Sequence, residues 1–446
     1  MVCLISYIIQ GNSQQKKHKK SFAVDQKELE LEYEKATRCY QEVCEIERKG
    51  RSMKRVKKLL TLLLVVVLVL PVTGCGSSIA DDDYDGEYKV AMITDAGDIT
   101  DQSFNQTTYE ACKAWCGEHG IPFTYKKPDG DTDYARVAMV DVAVAEGYNI
   151  IVMSGYIFAG TLVDVTYKYP EVKFIVLDMT AGDIIAAAVG NQYYANPDAY
   201  EASDYYNTGN TYCAVYKEEI PGYMAGYAAV KLGYRKLGYL GGQEVPAVMR
   251  FGYGYLQGIE DAAEELGVVS DISVEYAYGG QFYGSTEITA AMDTWYHKGT
   301  EVIFACGGGI FTSAAEAAAK TGGKVIGVDS DQSPIIDEYG EGMTVTSAMK
   351  SLTATIYAML DAIIVDDTWD EHVGKIENLG LVSGTEMELN YVGLPEDTTQ
   401  WNENFTVDDY RELVRKIFDG EVVVDSSIDK MPEVKYKLNV RQGTIM

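Results

Sequence analysis

A doubly wound α/β fold in two similar halves is predicted for most of this 446-residue chain, on three observations. Short, continuously apolar runs alternate with amphipathic segments of helical period, the pattern of parallel strands covered on both faces. The alternation occurs twice, separated by a stretch without clear period. Each half opens on a strand of the same type, Lys-Val-Ala-Met-Ile-Thr and Lys-Leu-Gly-Tyr-Leu-Gly. At ~150 residues per unit, the length allows two or three domains.

In the first half, strands are expected at 89–94, 123–126, 149–153 and 173–177, with helices at 105–119, 133–146 and 159–169. Residues 179–210, rich in Ala, Tyr, Asn, Asp and Gly, read as a long loop or insertion. The second half gives strands at 236–240, 273–278, 302–305 and 324–328, and helices at 254–266, 285–298 and 310–321. The expected division is a first lobe of 88–208 plus 330–355 and a second of 209–329 plus 356–446. Ligands in such folds sit at the C-terminal ends of strands, so two halves in tandem suggest a cleft between them. Two independent domains without a shared site are the alternative.

The formal charge is −29, from 38 Lys+Arg against 67 Asp+Glu. Residues 1–74 hold 14 basic and 8 acidic residues, which leaves 24 and 59 for the remainder, a net of −35. A surface that acidic repels phosphate backbones and argues against nucleic-acid binding. Four His offer little for metal or acid–base sites, and eight Cys in this length are no disulfide scaffold.

The basic N-terminal part reads as a targeting segment. Met53 begins Met-Lys-Arg-Val-Lys-Lys, and residues 59–72 follow without a charge. Fourteen residues rise only ~21 Å as a helix, short for a bilayer but suited to an export signal. Val72-Thr73-Gly74-Cys75 resembles a bacterial lipobox, in which Cys75 is lipidated and becomes the new N-terminus. Met53 is the expected initiator, 53–74 the lipoprotein signal and 1–52 a spurious extension. Residues 75–87 read as a flexible acidic tether. The expected location is extracytoplasmic, with the protein held to the membrane by lipid alone.

The richest chemistry follows the first strand: Thr94-Asp95-Ala96-Gly97-Asp98-Ile99-Thr100-Asp101-Gln102-Ser103-Phe104-Asn105-Gln106. Asp95 offers a carboxylate to a vicinal diol, and Phe104 a face for a base. Equally, Asp101 or Ser103 caps the helix and Phe104 is a core staple.

Thr-Asp-x-Gly-x-x-x-Asp-x-Ser-Phe-Asn-Gln resembles the opening signature of the basic membrane protein family, the substrate-binding lipoproteins of ABC importers related to the purine nucleoside receptor. Val-Lys-Phe-Ile-Val-Leu-Asp (172–178), Tyr216-Lys217-Glu218-Glu219 through Gly226, and Gly327-Val328-Asp329-Ser330-Asp331-Gln332 resemble it too, so the similarity runs from about Tyr88 to Val424. The resemblance implies a type I periplasmic-binding-protein fold, two Rossmann-like lobes hinged around a nucleoside, purine nucleosides foremost, with an ABC permease and ATPase as partners. It matches Phe104 and Phe251 to the rings that sandwich the base, and Asp95 with Asn105 to a ribose-binding carboxylate and its neighbour. Asp329 and Lys350 match the acidic residue and the lysine facing the ribose. Gly307, in Gly307-Gly308-Gly309, matches a close backbone approach, and Gly155 with Tyr156 lie at the cleft mouth. Where family members carry an acidic residue two positions after the Phe of the third strand–helix loop, this chain has Gly160 after Phe158 and Ala159.

A sensing receptor without transport is one rival. A nucleoside or glycoside hydrolase built on Asp95, Asp101, Asp329 and Asp331 is another. No Ser-His-Asp arrangement, metal-ligand cluster, phosphate loop or dinucleotide fingerprint is visible, so no enzyme and no cofactor is expected. Cys112, Cys116, Cys213 and Cys306 read as reduced packing residues, and the receptor is expected to be a monomer.

Overall fold

The computed structural model describes residues 86–95 and 97–445. The expected signal, Cys75 and tether up to residue 85, with residues 1–52, lie outside the described residues.

Among the described residues the strands form two sheets. The first holds β1 (Val90–Ile93), β2 (Phe123–Lys126), β3 (Ile150–Ser154), β4 (Lys173–Leu177) and β5 (Thr211–Tyr216). The second holds β6 (Lys236–Gly241), β7 (Ser273–Tyr278), β8 (Val302–Cys306), β9 (Lys324–Asp329) and β10 (Thr344–Lys350). β11 (Ile376–Leu379) joins the first, while β12 (Val392–Gly393) and β13 (Lys437–Val440) edge the second. The orders are β2-β1-β3-β4-β5-β11 and β13-β7-β6-β8-β9-β10-β12, so the two sheets repeat one topology. Every pairing is parallel except β10 with β12. Residues 90–93 and 150–153 are fully buried, as strands covered on both faces must be.

The lobe boundaries differ from those expected. β5 pairs with β4 and belongs to the first lobe, and β10 pairs with β9 in the second. Residues 330–350 therefore extend the second lobe rather than return to the first. The chain passes between sheets three times within the described residues: after β5, after β10 and after β11.

The longer helices among the described residues are α1 (Phe104–His119), α2 (Asp133–Ala145), α3 (Ala159–Val165), α4 (Ala181–Val189), α5 (Glu219–Lys231), α6 (Pro246–Leu266), α7 (Thr286–His297), α8 (Phe311–Thr321), α9 (Leu352–Ile364) and α10 (Val407–Phe418). α4 lies inside the stretch expected to be loop. Its run of Ala carries little period, but Thr180 and Asp183 form a capping box and Ile184 and Ile185 are buried. α9 returns to the first lobe, where Asp361 accepts a 2.9 Å bond from Trp115 Nε1 of α1.

α6 begins at Pro246, eight residues before the expected 254, because its glycines mask the helical pattern. They serve close approach. A Cβ on Gly254 would lie 2.1 Å from Glu219 O, and one on Gly258 2.0 Å from Tyr223 O. Reciprocally, Gly222 and Gly226 of α5 face Phe251 O and Tyr255 O, each 2.2 Å from such a Cβ. The two backbones therefore touch along two turns, as only glycine permits.

The largest apolar cluster runs through both lobes, from Val90 and Trp115 to Tyr239 and Phe304, and two smaller ones fill the outer face of each sheet.

Candidate functional site

The C-terminal ends of both sheets face a cavity of about 960 Å³, lined by all nine residues expected to contact ligand. Asp95 follows β1. Its Oδ1 accepts bonds from Gly97 N (2.5 Å) and Asn105 Nδ2 (2.9 Å), and burial raises its pKa against those bonds. Asp101 caps α1: its carboxylate accepts from the backbone N–H of Ser103, Asn105 and Gln106 and from Asn105 Nδ2, each at 3.0 Å. Ser103 is thus free of capping, and its hydroxyl donates to Asp329 Oδ2 of the other lobe at 2.5 Å.

Phe104, the first residue of α1, lines the cavity from the first lobe and Phe251 of α6 from the second. Phe251 is 1% exposed and meets Phe304 edge-on at 6.0 Å, which fixes its ring. Lys350 ends β10. Its ammonium lies 4.9 Å from the Phe104 centroid and 5.7 Å from that of Phe251, so the two rings close on one point from opposite lobes.

Three carboxylates surround that ammonium: Asp178 at 2.7 Å, Asp329 at 3.4 Å and Glu218 at 3.8 Å. Burial works against the charged lysine, yet these three neighbours raise its pKa. Burial likewise raises that of Asp178, with Lys350 pulling it down. Asp178 and Asp329 end equivalent strands and both adopt left-handed backbone, φ 54° and 65°. Such conformations cost ~1 kcal/mol or more and concentrate where side chains must be aimed. Asp178 Oδ1, Glu218 Oε1 and Asn105 Oδ1 are buried without a hydrogen-bond partner.

The lobes are tied at further points. Arg250 Nε donates to Glu218 Oε2 at 2.6 Å, beside the first crossover. Gln332 Nε2 donates to Gln102 O at 3.0 Å, and the Tyr156 hydroxyl to Gln243 Oε1 at 3.3 Å. Gly155 precedes that tyrosine with φ 117°. Gly307 (φ 139°) and Gly308 (φ 54°) turn the chain after β8 against Phe282, in conformations that favour glycine.

Asp178, Glu218 and Arg250 were not singled out as contacts from the sequence. A signal existed for Asp178, a carboxylate directly after an apolar strand like Asp95. Glu218 and Arg250 carry no local signal, because their pairing depends on how α5 and α6 meet. Of the carboxylates considered for hydrolysis, Asp101 is saturated by amides, and Asp331 accepts from Ser333 N and Thr398 Oγ1. At Gly160 a Cβ would lie 2.3 Å from Asp133 Oδ2, so a side chain here would have to displace that carboxylate, and an acidic one would also meet its charge. Cys112, Cys116, Cys213 and Cys306 are free and buried. Among the described residues, no group of three or more His, Cys, Asp or Glu is placed to hold a metal ion, and no helix is long and apolar enough to cross a membrane.

Comparison with known proteins accords with this architecture. The solute-binding protein of an ABC transporter system from Aeropyrum pernix K1 superposes with a TM-score of 0.54 at 21% identity, over 76% of this chain and 88% of that one. The ABC transporter nucleoside-binding protein BmpA of Lactococcus lactis is 27% identical over 63% of this chain and 74% of its own. An uncharacterized lipoprotein of Pyrococcus abyssi is 25% identical over 72% of this chain and 73% of its own. The model of the Bmp family, described as PnrA-like ABC transporter substrate-binding proteins, matches residues 88–427. Since that match takes in every strand except β13 and every cavity residue described above, the chain belongs to the Bmp family of ABC transporter substrate-binding proteins.

Proposed function

We propose that this protein captures nucleosides, purine nucleosides foremost, between its lobes and delivers them to an ABC importer. The observation that carries the reading is the pair of rings, Phe104 and Phe251, one from each lobe and both within 6 Å of the Lys350 ammonium. A base between them makes binding and lobe closure one event. Asp95, Asn105, Gly155, Tyr156, Gly307, Asp329 and Lys350 supply the polar contacts, with the sugar hydroxyls at the charged cluster. The nucleoside-binding name of the Lactococcus lactis relative supports this assignment.

Recognition proceeds without bond cleavage, a reading that the filling of Asp101 by four N–H bonds supports. Cys75 carries a lipid that holds a monomeric receptor on the outer membrane face; Cys75→Ser should release it from the membrane fraction. Calorimetry of the full-length protein in detergent against guanosine, adenosine, inosine, cytidine and ribose tests the reading. Binding of none, or of ribose alone, would refute it, and release of free base would convert it to a hydrolase. Delivery is tested by nucleoside uptake in cells with and without the protein; equal uptake leaves a sensor.

A further inference from the structure

The charged cluster stands at one end of the cavity wall. Along the first sheet the wall is built in the order β4, β3, β1, β2, with Asp178 after β4, Tyr156 after β3, Asp95 after β1 and Asp131 in the loop after β2. Asp131 therefore stands at the end remote from Lys350. A ligand that meets Lys350 with its sugar points its other end toward Asp131.

What that end offers is acceptors. Asp101 is filled by four N–H groups, and Asp98 is held by Lys127 at 2.8 Å and Thr100 at 3.1 Å. Asp95 engages only Oδ1, leaving Oδ2 for a ligand, and Asp131 accepts a single bond at Oδ1, leaving Oδ2 and the second lone pair of Oδ1. Asp131 is aimed, although its side chain is 66% exposed. Arg136 Nη1 grips it at 2.7 Å, and that guanidinium is itself buried, bonded to Asp133 at 2.9 Å and lying over Phe158 at 5.7 Å. A buried cation spent on an exposed carboxylate makes a presented acceptor.

Base edges differ in what they present to such a carboxylate. Guanine offers adjacent N–H donors, N1–H and the 2-amino group, which one carboxylate can accept together. Adenine sets the lone pair of N1 beside its amino group, and a carboxylate repels it. We propose that Asp131, held by Arg136, reads the base and gives this receptor a preference for guanosine over adenosine. The inference rests on the nucleoside reading above.

The test is calorimetry of full-length protein in detergent with guanosine and adenosine, for the parent, Asp131→Asn and Asp133→Asn. Guanosine should bind the parent more tightly. Asp131→Asn should weaken guanosine roughly 10- to 100-fold while adenosine changes less than about threefold. Asp133→Asn, which touches the same arginine but does not line the cavity, should keep the parent's ranking. Equal parent affinities, an equal loss of both ligands in Asp131→Asn, or the same change of ranking in Asp133→Asn would overturn the assignment and leave the nucleoside reading standing. A parent that binds neither nucleoside brings down both.

Discussion

Glu219 is the first residue of α5, 5% exposed, with Oε2 buried and unpartnered. Burial raises its pKa from the ordinary 4.5 to about 7, assisted by Glu218 and opposed by Arg250. The folded state therefore binds this proton more tightly than the unfolded chain, so stability falls as pH rises from about 4.5 to about 7. Relative to an unshifted carboxyl, the raised pKa of Glu219 costs about 1 kcal/mol at pH 5, where the folded state keeps the proton that the unfolded chain releases, and about 3 kcal/mol at pH 8, where both states are ionised. Glu219→Gln removes that dependence. Its buried amide takes back ~1–2 kcal/mol, equally at both pH values, so the change with pH is the quantity to read. With m above ~3 kcal/mol/M for a chain this long, the urea midpoint of the variant should gain ~0.5 M on the parent between pH 5 and pH 8. A gap that does not change with pH, or one that shrinks toward pH 8, would refute the reasoning.

Phe104→Ala should weaken nucleoside binding by ~1–3 kcal/mol in calorimetry, with little change in the unfolding midpoint. Phe251→Ala should weaken binding similarly but also cost ~3–5 kcal/mol of stability, because this ring packs on Phe304 inside the core. Gly258→Ala should destabilise by ~1–3 kcal/mol or more in thermal melts, since its Cβ meets Tyr223 O at 2.0 Å. Gly117→Ala, inside α1 with nothing within 4 Å of the new Cβ, should instead stabilise by ~0.5–1 kcal/mol.

The parallel strands were legible because each is an apolar run bounded by turns, and 123–126, 173–177 and 273–278 match in both bounds. Local pattern failed where distant packing decides. β5 is as apolar as its neighbours, but its lobe depends on which side of the crossover it lies, and no residue at 209–216 announces that. α4 hides in an alanine run, and the first two turns of α6 hide among glycines whose purpose is visible only beside α5. Within the site, the residues after β1 were readable because turn, cap and ring follow in one stretch. Of the partners of Lys350, Asp329 was expected from the family resemblance, whereas Asp178 and Glu218 were not, since they converge on it from separate strand ends.

The glycine-lined contact of α5 with α6 also has a mechanical meaning. With side chains absent from the seam, backbone bears on backbone, and the pair behaves as a single stiff rod rooted at the first crossover. α6 has 21 residues and is therefore ~32 Å long. A turn of about 10° at its cleft end, where Phe251 and Arg250 sit, swings the far end near Leu266 by ~5–6 Å. A small rotation at the cleft end would thereby be amplified into a several-fold larger displacement at the far end of α6.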